Sequence, residues 1–409
     1  MSQIPPHSSP PNLFRLVGLP YFLIAFVARL PFAMMVVGVL TLVVTARGSL
    51  SVGGLTSAAV GAGTALIGPF LGAAADRFGQ RPVLVASAVL NSAMLAAFAF
   101  VVYSPASFTL VLLAGFAIGA TAPQVSPMSR SRLVTIIDER MPQAQRPRTT
   151  SATMSYESAA DETVFVFGPF LVGILASFIA PWVPIAAASA LTLIFVGAFA
   201  LHPTARHVSI TRGADGAAPS AVSELFRPAL LVVVVGIFGV GLFFGTTLTA
   251  LTAFMADRGA PEQAGLLYGV MGIGSALLAL GVAWLPVRFS LHARWLVFGS
   301  IFLIGSVLVA TAPSVGMMIV ALALLGIGVG PTLVTQYSLG AARSPLGRSA
   351  TVMTMLGSGV VVGQAVGAAV TGELAESIGT HAALLMPLVA SAVVVGAGIV
   401  NRLLTPIQR

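Results

Sequence analysis

The sequence predicts an all-α membrane protein with twelve transmembrane helices in two pseudo-symmetric six-helix bundles. Three observations carry that expectation. Hydrophobic residues make up 57% of the 409 residues and charged residues only 8%, where a soluble protein carries about a quarter charged. Apolar runs of roughly 18–28 residues, each long enough to cross a bilayer, recur twelve times. One polar connection, 202–227, is much longer than the rest and falls at mid-chain.

Taken in order, residues 1–12 are rich in Pro and Ser and read as a disordered lead. No cleavable leader pattern precedes the first span, which is therefore expected to be retained. The spans are expected near 16–45, 51–75, 82–103, 107–128, 150–178, 182–201, 228–255, 263–286, 294–312, 315–337, 349–373 and 381–402. Cysteine is absent, which excludes disulfides, thiolate metal sites and cysteine nucleophiles. The five histidines fall near helix ends or in loops, so neither a metal nor a cofactor is expected. No phosphate-cradling loop appears, and the chain is not expected to be an enzyme or a nucleotide-driven pump.

Orientation follows from arginine, which supplies every basic charge behind the net +8. With the N-terminus inside, Arg15, Arg77, Arg81, Arg130, Arg132, Arg140, Arg146, Arg148, Arg206, Arg212, Arg227, Arg288, Arg294, Arg343, Arg348, Arg402 and Arg409 fall on the cytoplasmic side. Arg47 and Arg258 alone remain for the outer loops. That bias is a positive-inside signal, and it spreads the charge along one membrane face rather than over a nucleic-acid surface.

The two halves echo one another. Phe14-Arg15 before span 1 matches Phe226-Arg227 before span 7, and Arg77-Phe78 after span 2 matches Arg288-Phe289 after span 8. Gly119 with Pro123 in span 4 matches Gly326 or Gly328 with Pro331 in span 10, and Arg148 before span 5 matches Arg348 before span 11. The expected division is a bundle over 1–201, a cytoplasmic linker over 202–227 and a second bundle over 228–409. Tandem halves of this kind are a transporter architecture with the substrate near the midplane.

Span 5 carries Glu157, Asp161 and Glu162 well inside an apolar length. A charge at mid-bilayer costs roughly 2.5–3.5 kcal/mol on insertion scales, so the acids point to proton or cation handling. Glu157 and Asp161 are four apart and share a face, and Gly168 lies on nearly the same one. Arg29 in span 1 sits about ten residues from Leu19, or ~15 Å deep, close to the level of those acids. A lone buried arginine is costly, so it is expected to pair with them. Three acids around one guanidinium would leave at least one protonated.

The stretch Gly68-Pro-Phe-Leu-Gly72-Ala-Ala-Ala-Asp76-Arg77-Phe78-Gly79-Gln80-Arg81 resembles the G-x-x-x-D-R-x-G-R-[RK] signature of the major facilitator superfamily. Gly72, Asp76, Arg77, Gly79 and Arg81 match, with Gln80 in place of a basic residue. The resemblance extends to the twelve spans and the central loop, and implies that Asp76 latches one conformation by pairing with an arginine or capping a helix on the other half. The second copy has Val287 at the equivalent position, so one such latch is expected. Gly168-Pro169 with Gly173 resembles the family's span-5 antiporter motif, with Val164 and Val172 replacing two glycines. The family's span-4 arginine motif is missing, with Gly115 near the expected position.

Small-residue faces at Gly68 and Gly72, and at Gly359, Gly363 and Gly367, suit close helix packing. Phe22, Phe26, Phe165, Phe243, Phe244, Tyr268 and Tyr337 are candidates for an apolar pocket. The expectation is a proton-coupled, multidrug-type exporter of small hydrophobic or amphipathic compounds in the cell membrane. It would act as a monomer by alternating access, with Arg29, Glu157, Asp161 and Glu162 coupling proton to substrate. The alternatives are proton-coupled uptake of a nutrient and a non-transporting receptor or scaffold.

Overall fold

The structure, a computed structural model, describes residues 13–208, 220–260, 263–286 and 288–404. The lead at 1–12, Arg212 in the central connection, Val287 and Arg409 lie outside the described residues. Among the described residues, twelve helices are long and apolar enough to cross a membrane: span 1 (Leu19–Arg47), span 2 (Val52–Phe78), span 3 (Gln80–Tyr103), span 4 (Phe108–Arg140), span 5 (Arg146–Phe178), span 6 (Val183–Leu201), span 7 (Pro228–Ala256), span 8 (Ala264–Trp284), span 9 (Leu291–Ala310), span 10 (Val315–Ala342), span 11 (Ser349–Ser377) and span 12 (Thr380–Leu404). No strand occurs among the described residues. Helices of this length satisfy their own backbone groups in lipid, and the chain is a multi-pass membrane protein.

The helices pack as two bundles. Spans 1–6 close over their own buried clusters around Tyr21, Leu84 and Phe199 and around Val39, Phe98 and Ile185. Spans 7–12 close over another that includes Phe243, Trp295 and Phe302. Gly359, Gly363 and Gly367 face span 7, and a Cβ at Gly363 would stand 2.6 Å from Leu242 N. Backbones that close leave no room for side chains, which is why the small-residue stripe is there. The bundles meet where span 11 crosses spans 2 and 4, and where span 5 lies on spans 8 and 10.

Three first-bundle helices are irregular, and the irregularities converge. Pro31 removes the donor that would bond Val27 O, and the chain tightens at Ala28 and Arg29 between the helices Leu19–Val27 and Leu30–Arg47. Span 4 breaks in the same way before Pro123, into Phe108–Thr121 and Val125–Arg140. There Ala122 N bonds Gly119 O, and the Ile118 carbonyl accepts from Asn91 Nδ2 at 2.8 Å instead. Span 6 carries a π-helical turn at Thr192–Val196. Ala28, Pro31, Asn91, Pro123 and Thr192 line one small cavity, so the breaks in spans 1 and 4 face each other.

Candidate functional site

The breaks in spans 1 and 4 turn polar side chains toward span 5. Glu157 and Asp161 share one face of that helix, and Arg29 reaches both. Its Nη2 donates to Glu157 Oε2, and its Nε stands 3.3 Å from Asp161 Oδ1. Arg29 is 3% exposed and Glu157 is 0% exposed. Each charge at that depth is tolerable only because the other is present.

Span 4 contributes a second guanidinium, expected on the cytoplasmic side beyond residue 128. The helix resumes at Val125 and continues to Arg140, so Arg130 and Arg132 are buried at 1% and 0% exposure instead of lying in solvent. Arg130 Nη2 pairs with Asp161 Oδ2 at 2.8 Å. Ser126 Oγ donates to Asp161 Oδ1 at 2.6 Å, and Ser129 Oγ donates to Glu157 Oε1 at 2.9 Å. The usable signal was the spacing of Ser126, Ser129 and Arg130, which are three and four residues apart and so lie on one helix face. Arg294, expected at the cytoplasmic end of span 9, is buried at 5% exposure.

Arg132 has a different task. Its Nε donates to Gln80 Oε1 at 3.0 Å and its Nη1 to Phe199 O at 3.0 Å, with the guanidinium over the Phe199 ring. It ties span 4 to span 3 and to the last carbonyls of span 6, where a cation suits the helix dipole. His202, just beyond span 6, is held below the ordinary histidine range by burial and by Arg132.

The third acid does not join the cluster, so the picture of three carboxylates around one guanidinium is corrected. Glu162 points to the other bundle, where Ser275 Oγ donates to its Oε1 at 2.8 Å. Its Oε2 is buried without a hydrogen-bond partner. Arg29 and Arg130 balance Glu157 and Asp161, and Glu162 stands beside them without a cation. Tyr337 of span 10 meets the cluster as well, its ring centroid 3.9 Å from Arg130 Cζ.

The last turn of span 2 reaches the other bundle. Asp76 Oδ1 accepts from Ala350 N at 3.0 Å, and Oδ2 accepts from Thr351 N at 2.7 Å and Thr351 Oγ1 at 2.5 Å. Of the two expected modes, this is the helix-capping one: the carboxylate closes the N-terminus of span 11. Gly72 allows the approach, since a Cβ there would stand 2.7 Å from Ala350 O. Gly79 turns between spans 2 and 3 at φ 87°, where other residues are strained. Arg77 and Arg81 are exposed. At the pseudo-equivalent place near the start of span 9, Arg294 Nη1 donates to Ser151 Oγ at 3.2 Å. It is a single bond between the bundles, weaker than the Asp76 cap.

Gly168 packs on span 1, where a Cβ would stand 2.6 Å from Ala33 Cβ. Pro169 lies within the continuous span-5 helix, and Gly173 meets no neighbour within 4 Å. Among the pocket candidates, Phe22 stacks edge-on with Tyr156 and Phe243 with Phe302, which makes both of them core residues. Gly115 is filled by Thr56 of span 2.

Solved structures share this architecture. The human organic anion transporter MFSD10 (TETRAN) superposes with TM-score 0.72 at 20% identity, covering 96% of this chain and 100% of that one. A bacterial homologue of the iron transporter ferroportin, in an outward-facing state, gives TM-score 0.75 at 15% identity over 96% and 98%. The E. coli fucose:proton symporter FucP gives TM-score 0.65 at 17% identity over 92% and 98%. No protein of curated description matches the chain. A sequence model of the Major Facilitator Superfamily matches residues 21–357. With twelve spans in two bundles, a helix-capping Asp76 and that match over most of its length, the chain belongs to the major facilitator superfamily and has a transporter fold.

Proposed function

We propose that the protein is a proton-coupled secondary transporter that exports small hydrophobic or amphipathic compounds across the cell membrane by alternating access. The observation that carries this reading is the buried group Arg29, Glu157, Asp161 and Arg130 with Glu162 uncompensated beside it. The four paired residues balance their charges, two carboxylates against two guanidiniums, and Glu162 adds a third buried carboxylate that has no cation of its own. One proton restores neutrality, and Asp161, whose side chain is 20% exposed against 0% for Glu157, is the acid placed to exchange it. That the fucose:proton symporter shares the fold supports proton coupling, and the partial match of Gly168, Pro169 and Gly173 to the antiporter motif favours the antiporter-like direction.

In this reading a single chain works as two bodies, 1–201 and 228–409, joined by a linker at 202–227, with both termini and the linker in the cytoplasm. Asp76 is the latch that holds the bodies together at the cytoplasmic end. Asp76→Asn takes the charge from three contacts with span 11, and the loss of even one charge-assisted contact is worth about 1.5–3 kcal/mol. The balance between states then shifts about tenfold or more, and transport at equal expression falls accordingly. Wild-type flux in this variant would reduce Asp76 to a structural helix cap.

Direction and topology are tested together. Cells expressing the protein accumulate less of an exported compound and more of an imported one, and a receptor or scaffold gives no flux in proteoliposomes. Because the chain lacks cysteine, single cysteines at Ser49 and Ser220 report sidedness to an impermeant thiol reagent in intact cells. Labelling at Ser49 alone is expected, and labelling at Ser220 alone would reverse the topology.

A further inference from the structure

We propose that Tyr337 is a positioning residue that transmits the charge state of Asp161 to the second bundle through Arg130. Asp161 and Arg130 belong to the first bundle and Tyr337 to span 10 of the second. Arg130 is held from two sides: Asp161 takes its Nη2 at 2.8 Å, and the Tyr337 ring lies 3.9 Å beneath its Cζ. Arg130 is 1% exposed and Tyr337 6%, so water does not screen the stack, while Asp161, 20% exposed, meets water at the other hold. Arg130 Nε is buried with no hydrogen-bond partner, which leaves the carboxylate and the ring as the two contacts that set the plane of the guanidinium.

A proton on Asp161 removes the charge from one of those two holds. The planar guanidinium, unable to lose its own charge, must then turn toward another acceptor, and turning takes its face off the ring. The stack between the bundles is thus present with Asp161 ionised and lost with Asp161 neutral. The groups that face Asp161 are Arg29 from span 1, Ser126 and Arg130 from span 4, Tyr156, Glu157 and Glu162 from span 5 and Tyr337 from span 10. Of these, Tyr337 joins Asp161, through Arg130, to the second bundle.

This inference rests on the proton-coupled reading, and its test keeps the two apart. A cation–π contact needs a ring face and no hydroxyl, so Tyr337→Phe should act as wild type and Tyr337→Leu should not. One measurement is pH-gradient-driven flux against downhill exchange in proteoliposomes. Tyr337→Leu is expected to lose gradient-driven accumulation at least tenfold while exchange stays within about twofold. The other needs no substrate: cysteines replace Pro105 and Glu376, at the ends of the bundles away from Asp76, and carry spin labels whose separation is followed with pH. The wild-type separation should change with pH, as should that of Tyr337→Phe, while that of Tyr337→Leu should not. A pH-dependent separation in Tyr337→Leu like that of wild type overturns the relay, and so does loss of the response in Tyr337→Phe. Absence of gradient-driven flux in wild type, with the separation still responding to pH, removes the transport reading and leaves the relay standing.

Discussion

Asp161→Asn is expected to abolish pH-gradient-driven transport, while substrate binding and slow downhill exchange persist. The amide has the shape of the carboxylate and can still accept from Ser126 Oγ, so the site keeps its form. What it loses is the ability to bind and release a proton. It also leaves Arg130, 1% exposed, without a full counter-charge, which fixes the cluster in one state. Glu157→Gln should be milder, because Glu157 is fully buried against Arg29 and Ser129 and has no water to trade protons with. Flux into proteoliposomes at matched protein density, with and without an imposed pH gradient, separates the cases. If both variants keep full gradient-driven transport, the span-5 acids are structural and the proton-coupled reading fails.

The largest expected effect on stability is that of Arg29→Ala. Removing one partner of a buried pair strands the other charge, at a cost of about 3–5 kcal/mol. Here Glu157 is left with a serine hydroxyl alone, and Asp161 keeps Arg130 but loses its second cation. The thermal midpoint in detergent should fall by several degrees and the yield of monodisperse protein with it. Arg29→Ala combined with Glu157→Gln should recover much of the loss, since the stranded charge is then gone. A single variant that melts like wild type would mean that water reaches Glu157 and that the pair is not a buried one. A double variant no better than the single would place the loss in packing around the break at Arg29.

What was legible in the sequence was what depends on local spacing. The Asp76 motif is contiguous, and its Gly72 and Asp76 meet span 11 because both lie at one end of one helix. Arg29 and the span-5 acids could be matched by counting residues to a common depth, which holds as long as the helices are long and nearly straight. Arg130 escaped for the opposite reason. Pro123 breaks span 4, the hydrophobic run ends soon after, and only the structure reveals that the helix starts again and carries the arginine inward. The Glu162 contact with Ser275 and the Arg130 contact with Tyr337 join residues of different bundles. No periodicity within a single helix encodes such a pairing, because it is set by how the two bundles face each other.

The two cross-bundle fastenings at the Asp76 end are unequal, and that has a consequence for how the molecule comes apart there. Asp76 takes three donors and faces a helix N-terminus, whereas on the opposite flank Arg294 offers a single bond to Ser151. A pseudo-twofold frame with one strong clasp and one weak one parts like a book with one corner pinned. In the proposed alternating-access reading, the flank of spans 5, 8 and 9 would part first, with the flank of spans 2 and 11 as the pivot until Asp76 lets go, and the opening would begin beside Glu162.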